Sequence, residues 1–106
     1  MTTPENKRLA LLQRLFDSGT ADSFAHYGLA MEYKKLGRIE EALSVFASLR
    51  DKDAPYIPQY LMAGQMLAAA GRAAEAREWL EQGIAQAQRA GNSHALSELE
   101  SALSSL

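Results

Sequence analysis

The chain has 106 residues, of which 47% are hydrophobic and 23% are charged, and this ordinary globular composition excludes wholesale disorder. Eleven Lys and Arg against thirteen Asp and Glu leave a formal charge of −2, so the strong positive field of a nucleic-acid-binding protein is not expected. The absence of cysteine excludes disulfides, thiolate metal ligands and a thiol nucleophile.

Six helices are predicted, because good helix formers fill the long segments between glycines while runs of β-branched residues are missing. Thr3 is the expected N-cap of the first helix. The predicted helices cover about residues 4–16, 22–36, 39–49, 58–70, 73–89 and 92–105. Most of them are followed by a glycine, which ends a helix cheaply in the left-handed conformation. These glycines are Gly19, Gly37, Gly71 and Gly91. The fold class is therefore all-α.

Helical spacing also predicts which faces are buried. The third helix presents one apolar stripe, made of Ile39, Ala42, Leu43, Phe46 and Leu49. The fifth presents another, made of Ala76, Leu80, Gly83, Ile84 and Ala87.

The sequence repeats itself at an offset of 34 residues. Gly37-Arg38 aligns with Gly71-Arg72, and small residues align with small ones, as do large with large. The aligned pairs include Ala30 with Gly64, Ala42 with Ala76, Tyr33 with Leu67, and Phe46 with Leu80. Small residues permit close helix approach and large ones fill the adjacent space, so the period predicts stacked helix hairpins.

This alternation resembles the tetratricopeptide repeat family, whose unit is also 34 residues long. The resemblance implies a right-handed superhelical stack of antiparallel helix hairpins. We expect one domain over residues 1–106, divided into a half-repeat, two full repeats and a capping helix. Their predicted bounds are 4–18, 23–56, 57–90 and 92–105. The half-units at both ends lead us to expect a complete protein.

The family resemblance also implies a partner-binding groove. In tetratricopeptide repeats, one face of the first helix of each pair lines a concave groove that receives a peptide or a helical segment. The corresponding residues here are Phe24, Tyr27, Met31, Lys34, Lys35, Leu61 and Gln65. The alternative is that Phe24, Tyr27 and Leu61 are buried by neighbouring helices, including the closing one. Some members of this family bind the terminal carboxylate of a partner through Lys, Asn and Arg side chains. The matching positions here include Tyr27, Met31 and Gln65, which depart from that pattern.

No catalytic, metal or cofactor site is predicted. The two histidines lack ligand spacing: His26 takes a packing position, and His94 is expected to face solvent. The acidic pairs of Glu40 with Glu41 and Glu98 with Glu100 are interpreted as helix-surface charge. No phosphate-binding loop or nucleophile elbow is present.

We therefore expect a non-enzymatic adaptor or scaffold that binds a protein or peptide partner. The alternative is a self-associating structural protein, a homodimer formed through the apolar face of the last helix. That face consists of Leu96, Leu99, Leu103 and Leu106. The N-terminus lacks a signal-peptide pattern, and the apolar run of residues 61–70 is too short to cross a bilayer. Hence we expect cytoplasmic localisation, with no membrane and no nucleic acid as partner.

Overall fold

The computed structural model describes residues 4–106, with side chains from residue 7 onward. Six α-helices and no strand make up the regular structure within this range. The helices are α1 (Pro4–Asp17), α2 (Ser23–Lys35), α3 (Ile39–Lys52), α4 (Pro58–Ala69), α5 (Ala73–Ala90) and α6 (Ser93–Ser104). The prediction of six helices in an all-α fold is confirmed, while the predicted Thr3 cap lies outside the described residues.

The chain consists of two compact units, of which the first ends at Asp53 and the second begins at Ala54. In the first unit α2 packs on α3, and α1 packs on α2. In the second unit α4 packs on α5, and α6 packs mainly on α5 and to a lesser extent on α4. Each unit thus has one helix hairpin plus a single extra helix.

The corner between the helices of each hairpin is the same in both units. Gly37 and Gly71 have φ angles of +74° and +77°, which a residue with a Cβ adopts only under strain. The amide of the next residue, Arg38 or Arg72, donates 2.9 Å hydrogen bonds to the carbonyls of Tyr33 and Leu67 respectively. Such bonds satisfy carbonyls that the end of a helix would otherwise leave unpaired.

A two-bond ion pair between an arginine and a glutamate follows each of these turns. Arg38 donates from Nε and Nη2 to the two carboxylate oxygens of Glu41, both at 2.6 Å. Arg72 makes the same pair of bonds with Glu75, at 2.8 and 2.9 Å. Because of this pairing the pKa of the Glu75 carboxyl lies below its ordinary value.

Small residues set the distance between helices. Ala30, Ala42, Ala63 and Ala76 are completely buried. At Gly64 of α4, a Cβ would lie 2.5 Å from Cδ2 of Leu80 on α5, so a larger residue here would require the Leu80 side chain to move. The expected pairing of small and large positions is therefore confirmed within the second unit.

The buried faces of α3 and α5 differ in part from the predicted stripes. Val45 and Trp79 are each only 5% exposed, although neither was predicted as core. Conversely Ile39, Leu43 and Ile84 are half-buried. Val45 and Trp79 are aligned at the 34-residue offset, so the buried face is the same in both repeats. Trp79 packs against Tyr60 of α4 with ring centroids 5.9 Å apart.

Three helices end later than predicted, and α1 is one residue longer, ending at Asp17. α3 continues to Lys52, where the lysine Nζ donates a 2.5 Å hydrogen bond to the carbonyl of Ala21. The adjacent Asp53 accepts a 2.6 Å bond from the Ser23 hydroxyl, which ties the end of α3 to the start of α2. α5 runs to Ala90 before Gly91 ends it with a φ of +65°.

Candidate protein-interaction surfaces

One face of α2 packs against α1 and α3. Asp22 caps the helix by accepting a 2.8 Å hydrogen bond from the amide of Ala25, and this fixes where the helical register begins. The residues of the packing face are all buried, namely His26, Leu29, Ala30 and Tyr33. The His26 ring meets Phe16 of α1 edge-on, with centroids 5.0 Å apart. The interpretation of His26 as a packing residue is confirmed.

The Tyr33 side chain is buried and contacts residues on both sides. Its hydroxyl donates a hydrogen bond to Oε1 of Gln13 on α1, and the Arg38 guanidinium lies 4.9 Å above its ring. Burial is the main cause that raises the pKa of Tyr33, and Glu41 and Asp17 raise it further, while Arg38 opposes the shift. This side chain therefore belongs to the core of the first unit.

The other face of α2 is the first candidate surface, which we call the α2 surface. It consists of Phe24, Tyr27, Met31, Lys34 and Lys35. Phe24 is 73% exposed. Tyr27, Met31 and Lys34 are half-buried, and Lys35 is exposed. The Tyr27 ring packs edge-on against Phe46 of α3, with centroids 6.4 Å apart. An aromatic, a thioether and two lysines thus project from one side of a helix that is anchored from its other side.

The second candidate surface is a cleft between α4 and α6, with a volume of about 430 Å³. We call it the α4–α6 cleft. From α4 it contains both predicted residues, Leu61 and Gln65. From α6 and its C-cap it contains His94, Ser97, Glu98, Ser101, Ala102 and Ser105. The structure therefore brings Leu61 and Gln65 together with α6, the closing helix that the alternative interpretation placed against the groove.

The position of α6 follows from one tight contact. Leu99 is 1% exposed and packs over Gly83 of α5, where a Cβ would lie 2.9 Å from Leu99 Cδ2. Since Leu99 faces α5, residues on the adjacent side of α6 face α4 and line the cleft. The sequence signal for this was the spacing of Ser97, Ser101 and Ser105, which places three hydroxyls on one helical face.

Phe24, Tyr27 and Leu61 differ in how far neighbouring helices cover them. Leu61 is half-buried and shares its cleft with α6, and Tyr27 is half-buried against Phe46, whereas Phe24 stays open to solvent. His94 is solvent-facing as predicted, with 87% of its side chain exposed, and its Nε2 lies 3.0 Å from Glu98 Oε1.

No group of three or more potential metal-binding side chains occurs in the part of the chain that the structure describes. Within residues 4–106, no helix combines the length and the apolar character needed to cross a bilayer.

Comparison with known proteins places this geometry in a family. The sequence model of the tetratricopeptide repeat matches residues 23–48 and 59–82, which fall on the α2–α3 and α4–α5 hairpins. A crystal structure of a tetratricopeptide repeat domain protein from Salinibacter ruber is 32% identical, covers 78% of this chain and 92% of its own, and superposes with a TM-score of 0.71. The chain belongs to the tetratricopeptide repeat family.

Two further structures agree with this assignment. A solution structure of a tetratricopeptide repeat domain protein from Salinibacter ruber is 33% identical over 77% of this chain and 83% of its own, with a TM-score of 0.73. A protein from Bordetella parapertussis is 25% identical, covers 97% of this chain and 86% of its own, and has a TM-score of 0.77. No protein of curated function matches the chain. Tetratricopeptide repeats in general mediate protein–protein interactions, and the chain is a protein–protein interaction module at that general level.

Proposed function

We propose that the chain is an adaptor that binds a peptide or helical segment of a partner protein through the first helices of its repeats. The observation that carries this proposal is the α4–α6 cleft, which unites Leu61 and Gln65 with a row of polar side chains on α6. Its volume of about 430 Å³ falls in the range of roughly 300–1,000 Å³ that is usual for ligand sites.

The α2 surface supports the same role in the first unit. Aromatic residues and methionine supply large apolar contacts, and methionine adapts to partners of varied shape. Phe24 is 73% exposed, so it contributes little to the core and is accessible to a partner.

The test is a double variant in which each surface loses one apolar side chain, Tyr27→Ala with Leu61→Ala. A displayed library of blocked twelve-residue peptides is selected on the unaltered chain, and the affinities of the retained peptides are measured for both proteins. We expect the double variant to lose about tenfold or more in affinity, as truncation of interface anchors does. Its helical circular dichroism is expected to stay unchanged.

The matched control changes two exposed residues of the second helices, Ser44→Ala with Glu78→Ala. We expect the control to bind as the unaltered chain does. If the double variant instead loses its helical signal, Tyr27 and Leu61 are core residues. If no peptide is retained by the unaltered chain, the adaptor proposal is wrong.

Self-association through α6 is the weaker candidate. Leu99, the centre of the apolar face of α6, is already buried against α5. In the 34-residue register Arg8 takes the place of Ala42 and Ala76. A copy stacked on the α1 end would bury this charge, which is costly. Light scattering between 10 and 500 μM tests this, and a mass that doubles with concentration would favour the structural role.

A further inference from the structure

The α4–α6 cleft contains polar groups that the protein itself does not use. Gln65, Ser97 and Ser101 side chains make no hydrogen bond within residues 7–106, whereas the Ser105 hydroxyl donates to the Ser101 carbonyl at 3.0 Å. The two serines are one helical turn apart on α6, opposite the amide of Gln65 on α4. Hydroxyl and amide groups both donate and accept, so they suit the alternating N–H and C=O groups of an extended peptide.

Apart from the His94 imidazole, the cleft carries only negative charge. Neither α4 nor α6 carries a lysine or arginine, and α4 carries no charged side chain at all. Glu98 is the single carboxylate that lines the cleft, with 49% of its side chain exposed. Its Oε1 lies 3.0 Å from His94 Nε2, and this contact orients that oxygen.

Leu61 supplies the apolar part of the cleft. It is half-buried on α4 and lines the cleft together with Gln65 and with Ala102 of α6. The cleft therefore offers one apolar contact, a set of hydrogen-bonding groups and one negative charge, and this combination restricts what fits.

We propose that the α4–α6 cleft takes an internal, extended segment of a partner protein that carries a lysine or arginine, with the cation paired to Glu98 and the backbone bonded to Gln65, Ser97 and Ser101. This inference rests on the proposed function and names the class of its ligand. A segment ending in a free carboxylate, or one carrying a phosphate, meets Glu98 with a like charge and finds no cation on either helix. An internal basic segment meets an opposite charge and a matching set of donors and acceptors.

The test is a library of eight-residue peptides, acetylated and amidated at their ends, in which one central position is Lys, Arg, Gln or Glu and the others vary. Binding is measured at pH 8. We expect retained peptides to be enriched in Lys and Arg at the central position. We also expect them to shift the backbone amide resonances of Leu61, Gln65, Ser97 and Ser101.

Two variants of α6 test whether Glu98 is the carboxylate that pairs with the cation of the peptide. Glu98→Gln is expected to lower the affinity for the lysine peptides about two- to fivefold and to abolish their advantage over the glutamine peptides, as loss of an exposed ion pair does. Glu100→Gln removes an equal charge from a residue that does not line the cleft, and it is expected to change neither property.

The outcomes separate the two proposals. If peptides shift the cleft resonances without a preference for Lys or Arg, or with a preference for Glu or a free carboxylate, the basic-segment inference is wrong and the adaptor function stands. If Glu100→Gln has the same effect as Glu98→Gln, the effect is one of net charge and the inference is also wrong. If no peptide of any composition perturbs the cleft, both proposals fail.

Discussion

The backbone of Gly83 in α5 lies directly against the side chain of Tyr60 in α4. A Cβ on residue 83 would lie 2.5 Å from the Tyr60 Cβ, which is close to the α4 backbone and has no room to move. We therefore predict that Gly83→Ala forces α4 and α5 apart and lowers the free energy of unfolding by about 1–3 kcal/mol. Urea unfolding followed by circular dichroism measures this.

Gly28→Ala is the matched control for Gly83→Ala. A Cβ at Gly28 would lie 3.5 Å from Arg8 and 3.7 Å from Leu12, which is ordinary contact distance. Because alanine has a helix propensity about 1 kcal/mol better than that of glycine, Gly28→Ala is expected to leave stability unchanged or to raise it. Equal destabilisation by both changes would contradict the packing described for α4 and α5.

Overpacking the small alanines of the second helices is predicted to be damaging. Ala42 and Ala76 are completely buried, so Ala42→Leu and Ala76→Leu should each cost about 1–3 kcal/mol. Ala74→Leu adds the same side chain to an exposed position of α5 and is expected to change stability by less than about 0.5 kcal/mol. Thermal melts of the three variants test this, and unchanged melting temperatures for the first two would contradict the repeat register.

The raised pKa of Tyr33 predicts a loss of stability at high pH. The folded state holds the phenolic proton more tightly than the unfolded state, so this contribution is complete below pH 10 and is lost as pH rises through the folded pKa. Tyr33→Phe removes the ionising group and the bond to Gln13, which costs about 0.5–1.5 kcal/mol at neutral pH. Urea titrations at pH 8 and pH 10.5 are expected to show a smaller gap between the two proteins at the higher pH. A stability difference that is larger at pH 10.5 than at pH 8 would contradict a raised pKa for Tyr33.

Phe24 is predicted to matter for binding and not for folding. Its side chain is 73% exposed, so Phe24→Ser should change the free energy of unfolding by less than about 0.5 kcal/mol. Binding of the twelve-residue peptides selected on the unaltered chain is expected to weaken, as measured by fluorescence anisotropy. A variant that is destabilised by more than 1 kcal/mol would show that Phe24 packs against the protein.

Helix positions were predictable from the sequence because their ends carry local signals. The predicted starts of α3, α4 and α5 agree with the structure, since Pro58 and the turns after Gly37 and Gly71 fix them. The predicted end of α3 was three residues short, because Lys52 and Asp53 are held by contacts to Ala21 and Ser23, about 30 positions earlier in the chain. Local propensity carries no information about such contacts.

The α2 surface and the α4 side of the cleft were also predictable, because the repeat assigns Tyr27, Leu61 and Gln65 to one helical face. The α6 side was not. α5 has 18 residues where α3 has 14, so the period of 34 does not carry over to α6. The place of Ser97 and Glu98 beside Leu61 depends instead on how Leu99 packs over Gly83, which is a tertiary contact.

The arrangement in which each helix packs mainly on its neighbour in the chain has a kinetic consequence. The chain must close only short loops before these contacts form, so it loses little conformational entropy before the packing of helices stabilises it. Helical proteins with such local contacts fold within microseconds to milliseconds. Newly made chains of this kind therefore spend little time with their apolar faces open to aggregation.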